Sequence, residues 1–164
     1  MIILMLGLMT IPLIALAQTP SEVRIGDPLP DAMMRGLNGP ARPLSAFRGR
    51  PLIINVWASW CGPCRAEMAS LERLAWRDES DSFHVIGIST DDDPQQALAA
   101  LVASNSTIAQ FIDSKLVLEH MLGASRIPLT VLVDADGRVV QRVYGARDWD
   151  SASARQLIGA TFAR

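Results

Sequence analysis

Cysteine is scarce in this chain: Cys61 and Cys64 are the only two among 164 residues. Disulfide-stapled scaffolds need several pairs joining distant segments, so that class is excluded. A zinc site is disfavoured as well, because tetrahedral closure takes four Cys or His ligands. The two histidines, His84 and His120, stand apart from each other and from the cysteines. Excess positive charge is also missing, with a formal net charge of −2, so nothing points to nucleic acid or anionic lipid as a partner. Residues 1–17 carry no charged side chain at all. No repeat or low-complexity tract divides the chain, and its length fits one domain.

What is present begins with that uncharged N-terminus. Over residues 2–16 it is almost wholly apolar, yet shorter than the roughly 20 residues that cross a bilayer. It closes on Ala15-Leu16-Ala17, a small-x-small pattern, and polar Gln18-Thr19-Pro20 follows. This predicts a secretory signal peptide over 1–17, or an uncleaved anchor. No Lys or Arg precedes the apolar stretch, which departs from the usual signal. The folded part, 18–164, is then expected in the periplasm or another oxidising compartment outside the cytoplasm. Hydrophobic residues make up 49% of the chain, enough for a proper core.

Residues 23–50 are punctuated by Pro and Gly, which permits short strands and turns but no long helix. The apolar run 51–59 predicts a strand buried on both faces. A helix over 62–77 follows, with Met68, Leu71, Leu74 and Ala75 at helical spacing. HVIGIS at 84–89 is a second buried strand. Asp91-Asp92-Asp93-Pro94 then reads as a capped helix start leading into 95–103. A short strand near 111–112, a helix over 116–122 and a third strong strand at 129–134 come next. Asp136-Gly137 is a hairpin signal before a strand over 138–144, and 151–162 is a final helix with Leu157, Ile158, Thr161 and Phe162 on one face. Alternating strands and helices with a late hairpin give an α/β fold with a mixed central sheet flanked by helices. Trp57 and Trp76 read as core or helix-packing residues.

The informative stretch is Trp60-Cys61-Gly62-Pro63-Cys64, which leaves a buried strand and enters a helix. Unpaired N–H groups and the positive end of the helix dipole stabilise a thiolate in that first turn. Cys-X-X-Cys thiols so placed have pKa values lowered to roughly 3.5–7.5. Cys61, at the helix tip, is expected to attack a substrate disulfide, and the shielded Cys64 to resolve the mixed disulfide. Pro63 suits a first turn, where its missing N–H costs little. A purely structural role is weak, because closing so short a loop removes little chain entropy.

Trp-Cys-Gly-Pro-Cys after an apolar strand resembles the thioredoxin active site. The longer run from Leu44 to Pro51, followed by NVWASWCGPCRAEM, is similar to the exported TlpA/ResA-like branch of the redoxin families, related to the AhpC/TSA group. The resemblance extends over about residues 26–145. It implies a thioredoxin-like fold with an N-terminal β extension and an extra βα insertion. It also implies a thiol–disulfide oxidoreductase whose only redox centre is the Cys61–Cys64 pair, with no cofactor and no metal. Ile127-Pro128 matches the family's cis-proline loop beside the active-site sulfurs, although Pro-Leu-Thr stands where relatives commonly have Pro-Thr-Thr. Glu67 matches an active-site glutamate that relays protons. Asn55 stands where thioredoxins proper place a buried Asp. Trp60, Gly62, Pro63, Ile127 and Pro128 are expected to form the substrate-binding surface.

The expected partners are thiols and disulfides of exported proteins, such as apocytochrome c before haem attachment, and a thiol-reducing membrane electron donor. The chain is expected to act as a monomer. A thiol peroxidase would carry a Pro-x-x-x-Thr-x-x-Cys pattern, but Ala58 and Ile54 stand at those positions. A copper chaperone on this fold would space its cysteines by three residues and add a downstream His. A disulfide-donating oxidant is the remaining alternative, and Gly62-Pro63 between the cysteines favours a reductant over it.

Overall fold

The structure is a computed structural model, and it describes residues 21–77 and 82–163. The expected signal peptide or anchor over 1–17 lies outside the described residues. Seven strands form a mixed sheet in the order β2-β1-β5-β4-β3-β6-β7. They are β1 (Met33–Gly36), β2 (Arg42–Pro43), β3 (Leu52–Trp57), β4 (His84–Ser89), β5 (Ala109–Ile112), β6 (Leu129–Val133) and β7 (Val139–Tyr144). Among the described residues four helices accompany them: α1 (Gly62–Ala75), α2 (Pro94–Ser104), α3 (Val117–Leu122) and α4 (Ala152–Phe162), with a 3-10 turn at Leu44–Phe47. The β3–β4 and β4–β5 pairs are parallel, and every other pair is antiparallel. The expected mixed α/β architecture is therefore present, with β1–β2 ahead of the strand that leads to the cysteines and β5–α3 between β4 and β6.

Strand periodicity explains the layering. In β3, Leu52, Ile54 and Val56 join a core cluster with Leu118, Met121 and Leu122 of α3. The alternate residue Ile53 joins Leu71 and Leu74 of α1 and Ala154 and Ile158 of α4 on the other face. β6 repeats the pattern, with Leu129, Val131 and Val133 on the α3 face and Leu132 on the α1/α4 face. Asn55 and Thr130, paired in register across β3 and β6, fall on the α1 face by the same alternation. A strand with both faces covered reads as a continuous apolar run, so the one polar residue inside β3, Asn55, marks a buried polar site.

Gly87 of β4 pairs with Asn55 on one side and Gln110 on the other. A Cβ at Gly87 would lie 1.9 Å from the Gln110 side-chain oxygen, so glycine is required there. The space it leaves lets Gln110 reach across and accept the Trp57 indole N–H at 2.9 Å. Trp57 is fully buried, as expected. Trp76 is not: α1 ends at Ala75, and the Trp76 ring is 66% exposed. Its indole N–H bonds to Glu72 and Thr107 on the surface, an edge-on attachment that apolar periodicity does not register.

Candidate active site

Cys61 is the N-cap residue of α1, with an extended backbone, and Cys64 lies in the first helical turn. Their sulfurs form a disulfide, and the Cys64 backbone N–H donates to the Cys61 sulfur at 3.2 Å. An N-cap side chain ordinarily accepts such a bond from an orphan amide of the first turn. Here a sulfur takes that place, so the helix end is already arranged to stabilise negative charge on Cys61. Cys61 keeps 6% of its surface exposed and Cys64 none. Gly62 and Pro63 are exposed between them, and Trp60 presents its ring at 70% exposure.

The Ile127–Pro128 peptide bond is cis, in the loop just before β6. Ile127 packs against the cluster that contains Cys61, Cys64, Trp57 and Met68. Pro128 is buried, and its carbonyl accepts from Gly145 N at 2.9 Å. The loop that the sequence matched to the cis-proline position thus lies beside the cysteine pair.

Glu67, one turn beyond Cys64 on α1, is 2% exposed. It is not a solvated helix residue. Its Oε1 accepts from Asn55 Nδ2 at 2.7 Å, and its Oε2 from Arg147 N at 3.0 Å and Trp149 Nε1 at 3.1 Å. Asn55 Nδ2 also donates to Thr130 Oγ1 at 3.2 Å. Burial pushes the Glu67 carboxyl above its ordinary value, against the pull of these three donors in the other direction.

Three contributors escape local sequence reading. Trp149 is fully buried, and Ser70 Oγ holds its loop by accepting Trp149 N at 3.0 Å and donating to Arg147 O at 3.3 Å. Asp91, expected as part of a helix cap, turns instead to Ser59 just before Trp60. Asp93 alone caps α2, accepting from Gln95 N. These partners lie 32 to 82 residues apart in the chain. No short-range pattern records such pairings, although an isolated Trp in a polar stretch at 146–150 was a signal of burial. Among the described residues, no group of three or more His, Cys, Asp or Glu side chains is placed to hold a metal ion.

The chain is 32% identical over 125 residues to the thiol:disulfide interchange protein DsbE of Escherichia coli K12, covering 74% of this chain and 65% of that protein. It thus spans just under two thirds of that relative's length. It is 24% identical over 124 residues to the thiol-disulfide oxidoreductase ResA of Bacillus thuringiensis, covering 76% of this chain and 72% of the relative. Among solved structures, a Chlorobium tepidum protein assigned as a thiol:disulfide interchange protein DsbE superposes with a TM-score of 0.75 at 26% identity. That match covers 85% of this chain and 99% of the other. The Redoxin family model matches residues 24–158, a span that holds the cysteine pair, the cis-proline loop and every donor to Glu67; the chain belongs to the Redoxin family.

Proposed function

We propose that this chain is an extracytoplasmic thiol–disulfide oxidoreductase that reduces disulfides in exported proteins, apocytochrome c among the candidates. The observation that carries the reading is the Cys61–Cys64 pair at the tip of α1, with Cys61 slightly exposed and Cys64 fully buried. The apolar, uncharged N-terminus supports the location outside the cytoplasm.

In the reduced state the Cys61 thiolate attacks one sulfur of a substrate disulfide. A mixed disulfide forms, the substrate S–S bond breaks, and the departing sulfur takes up a proton. The Cys64 thiolate then attacks Cys61 Sγ, which restores the internal disulfide and releases the second substrate sulfur to be protonated. Two electrons pass from the pair to the substrate, and a dithiol donor at the membrane returns them. No cofactor beyond the pair is required. Glu67 supports Cys64: a carboxyl raised toward neutrality by burial can take the thiol proton as the resolving thiolate forms. Trp60, Gly62 and Pro63 offer a flat docking surface, and the Ile127–Pro128 backbone can align an extended substrate segment. A monomer suffices for all of this.

The test uses the chain from Gln18 onward with a disulfide-bonded protein such as insulin. Cys61→Ser is expected to abolish reduction. Cys64→Ser is expected to accumulate a mixed disulfide visible on non-reducing gels. Retained reduction by Cys61→Ser would sink the mechanism. The reduction potential fixes the direction: thioredoxin-like reductants lie near about −270 mV and strong oxidants near about −120 mV. A value at the oxidising end would make the protein a disulfide donor instead.

A further inference from the structure

Asp91 sits just past the end of β4 and is 3% exposed. Its Oδ2 accepts from Ser59 N at 2.9 Å and from Ser89 Oγ at 2.7 Å, and its Oδ1 from Ser59 Oγ at 2.6 Å. Its own N–H donates to Ser89 Oγ at 3.1 Å. Ser59 belongs to the turn that delivers the cysteine, in which Cys61 N donates to Ala58 O at 3.1 Å. Thr90 N donates to Trp57 O at 2.9 Å, so the end of β4 clamps the end of β3 at consecutive points.

Among the described residues no Lys, Arg or His side chain forms an ion pair with Asp91. Its chain neighbours Asp92 and Asp93 are exposed and of the same sign. On α1, Arg65 is exposed, and the Glu67 carboxyl is directed to Asn55, Arg147 and Trp149. The Asp91 carboxyl is thus bonded to Ser59, two residues before Cys61, in the turn that leads into the helix tip.

We propose that Asp91 is a positioning residue that fixes the Ser59–Cys61 turn and, by holding a negative charge there, sets the redox poise of the cysteine pair. An anion nearby disfavours the Cys61 thiolate. Stabilising the reduced form makes such a pair a stronger oxidant, so opposing it makes the pair a stronger reductant. The inference rests on the redox reading of Cys61 and Cys64.

The experiment is the equilibrium of the chain from Gln18 onward with glutathione, read by thiol alkylation. Asp91→Asn keeps the shape and an acceptor for Ser59 N while removing the charge. It is expected to shift the equilibrium constant more than twofold toward the dithiol, a tenfold change being about 30 mV for two electrons. Ser59→Ala keeps the charge and is expected to stay within twofold of the parent. Should Asp91→Asn not fold, Asp91→Ser carries the same comparison. A folded, uncharged variant within twofold of the parent overturns the proposal. So does a Ser59→Ala shift as large as that of Asp91→Asn, since turn placement alone would then account for it. A parent pair that does not exchange with glutathione overturns the redox reading and this inference with it.

Discussion

Glu67 is a carboxyl buried with three hydrogen-bond donors and, among the described residues, no ion-pair partner. Its raised pKa means the folded state binds the proton more tightly than the unfolded chain does. That contribution is fully favourable below the unfolded carboxyl value, about 4.3, and is lost as pH rises through the folded value. Glu67→Gln cannot ionise. It is therefore expected to lose less stability between pH 4 and pH 7 than the parent, measured by urea unfolding at both. A parent that loses no more than the variant would show that the buried carboxyl carries no such penalty. The Glu67 position is legible through the family resemblance, which places a glutamate one helical turn after Cys64, but its environment is not. Spacing shows which helical turn a residue occupies. It does not show that a loop 80 residues later in the chain folds over it.

At the scale of elements, the strands β3, β4 and β6 could be read almost to the residue, because burial on both faces leaves a continuous apolar signature. The strand expected near 111–112 is longer in the structure: β5 begins at Ala109 and carries the polar Gln110 inside. That glutamine fills the space over Gly87, a contact between strands that neither segment records alone. Gly87→Ala would drive Gln110 off the Trp57 indole and leave a buried N–H unpaired. The expected cost is roughly 2–3 kcal/mol, measured by denaturant unfolding. Combining it with Gln110→Ala is expected to cost less than the sum of the two, since the second change removes the clash. Strict additivity in that cycle would mean that the two positions do not meet.

Across the whole molecule, the N-terminal segment is tied to the sheet by backbone bonds, such as Gly26 N to Val139 O at 2.7 Å, and by a buried cation. Arg142 of β7, with a side chain 9% exposed, donates to Leu122 O at 2.7 Å and to Val23 O, and it pairs with Glu22. Arg142→Met is expected to destabilise the fold by about 1–3 kcal/mol. It should also open the bond after Arg24 to trypsin before the rest of the chain; unchanged resistance there would show that the segment is held by other contacts. The frame that these ties surround has a further consequence. β3 is buried along its whole length and bonded on both sides, to β4 and to β6. Amide hydrogens in such a strand exchange with solvent only when the entire domain opens. The cysteines start four residues beyond its end, so the reactive sulfurs are carried by the slowest-exchanging part of the molecule. Deuterium uptake should therefore reach β3 last in the oxidised and in the reduced protein alike, with redox-dependent changes in uptake confined to the turn and the first coil of α1.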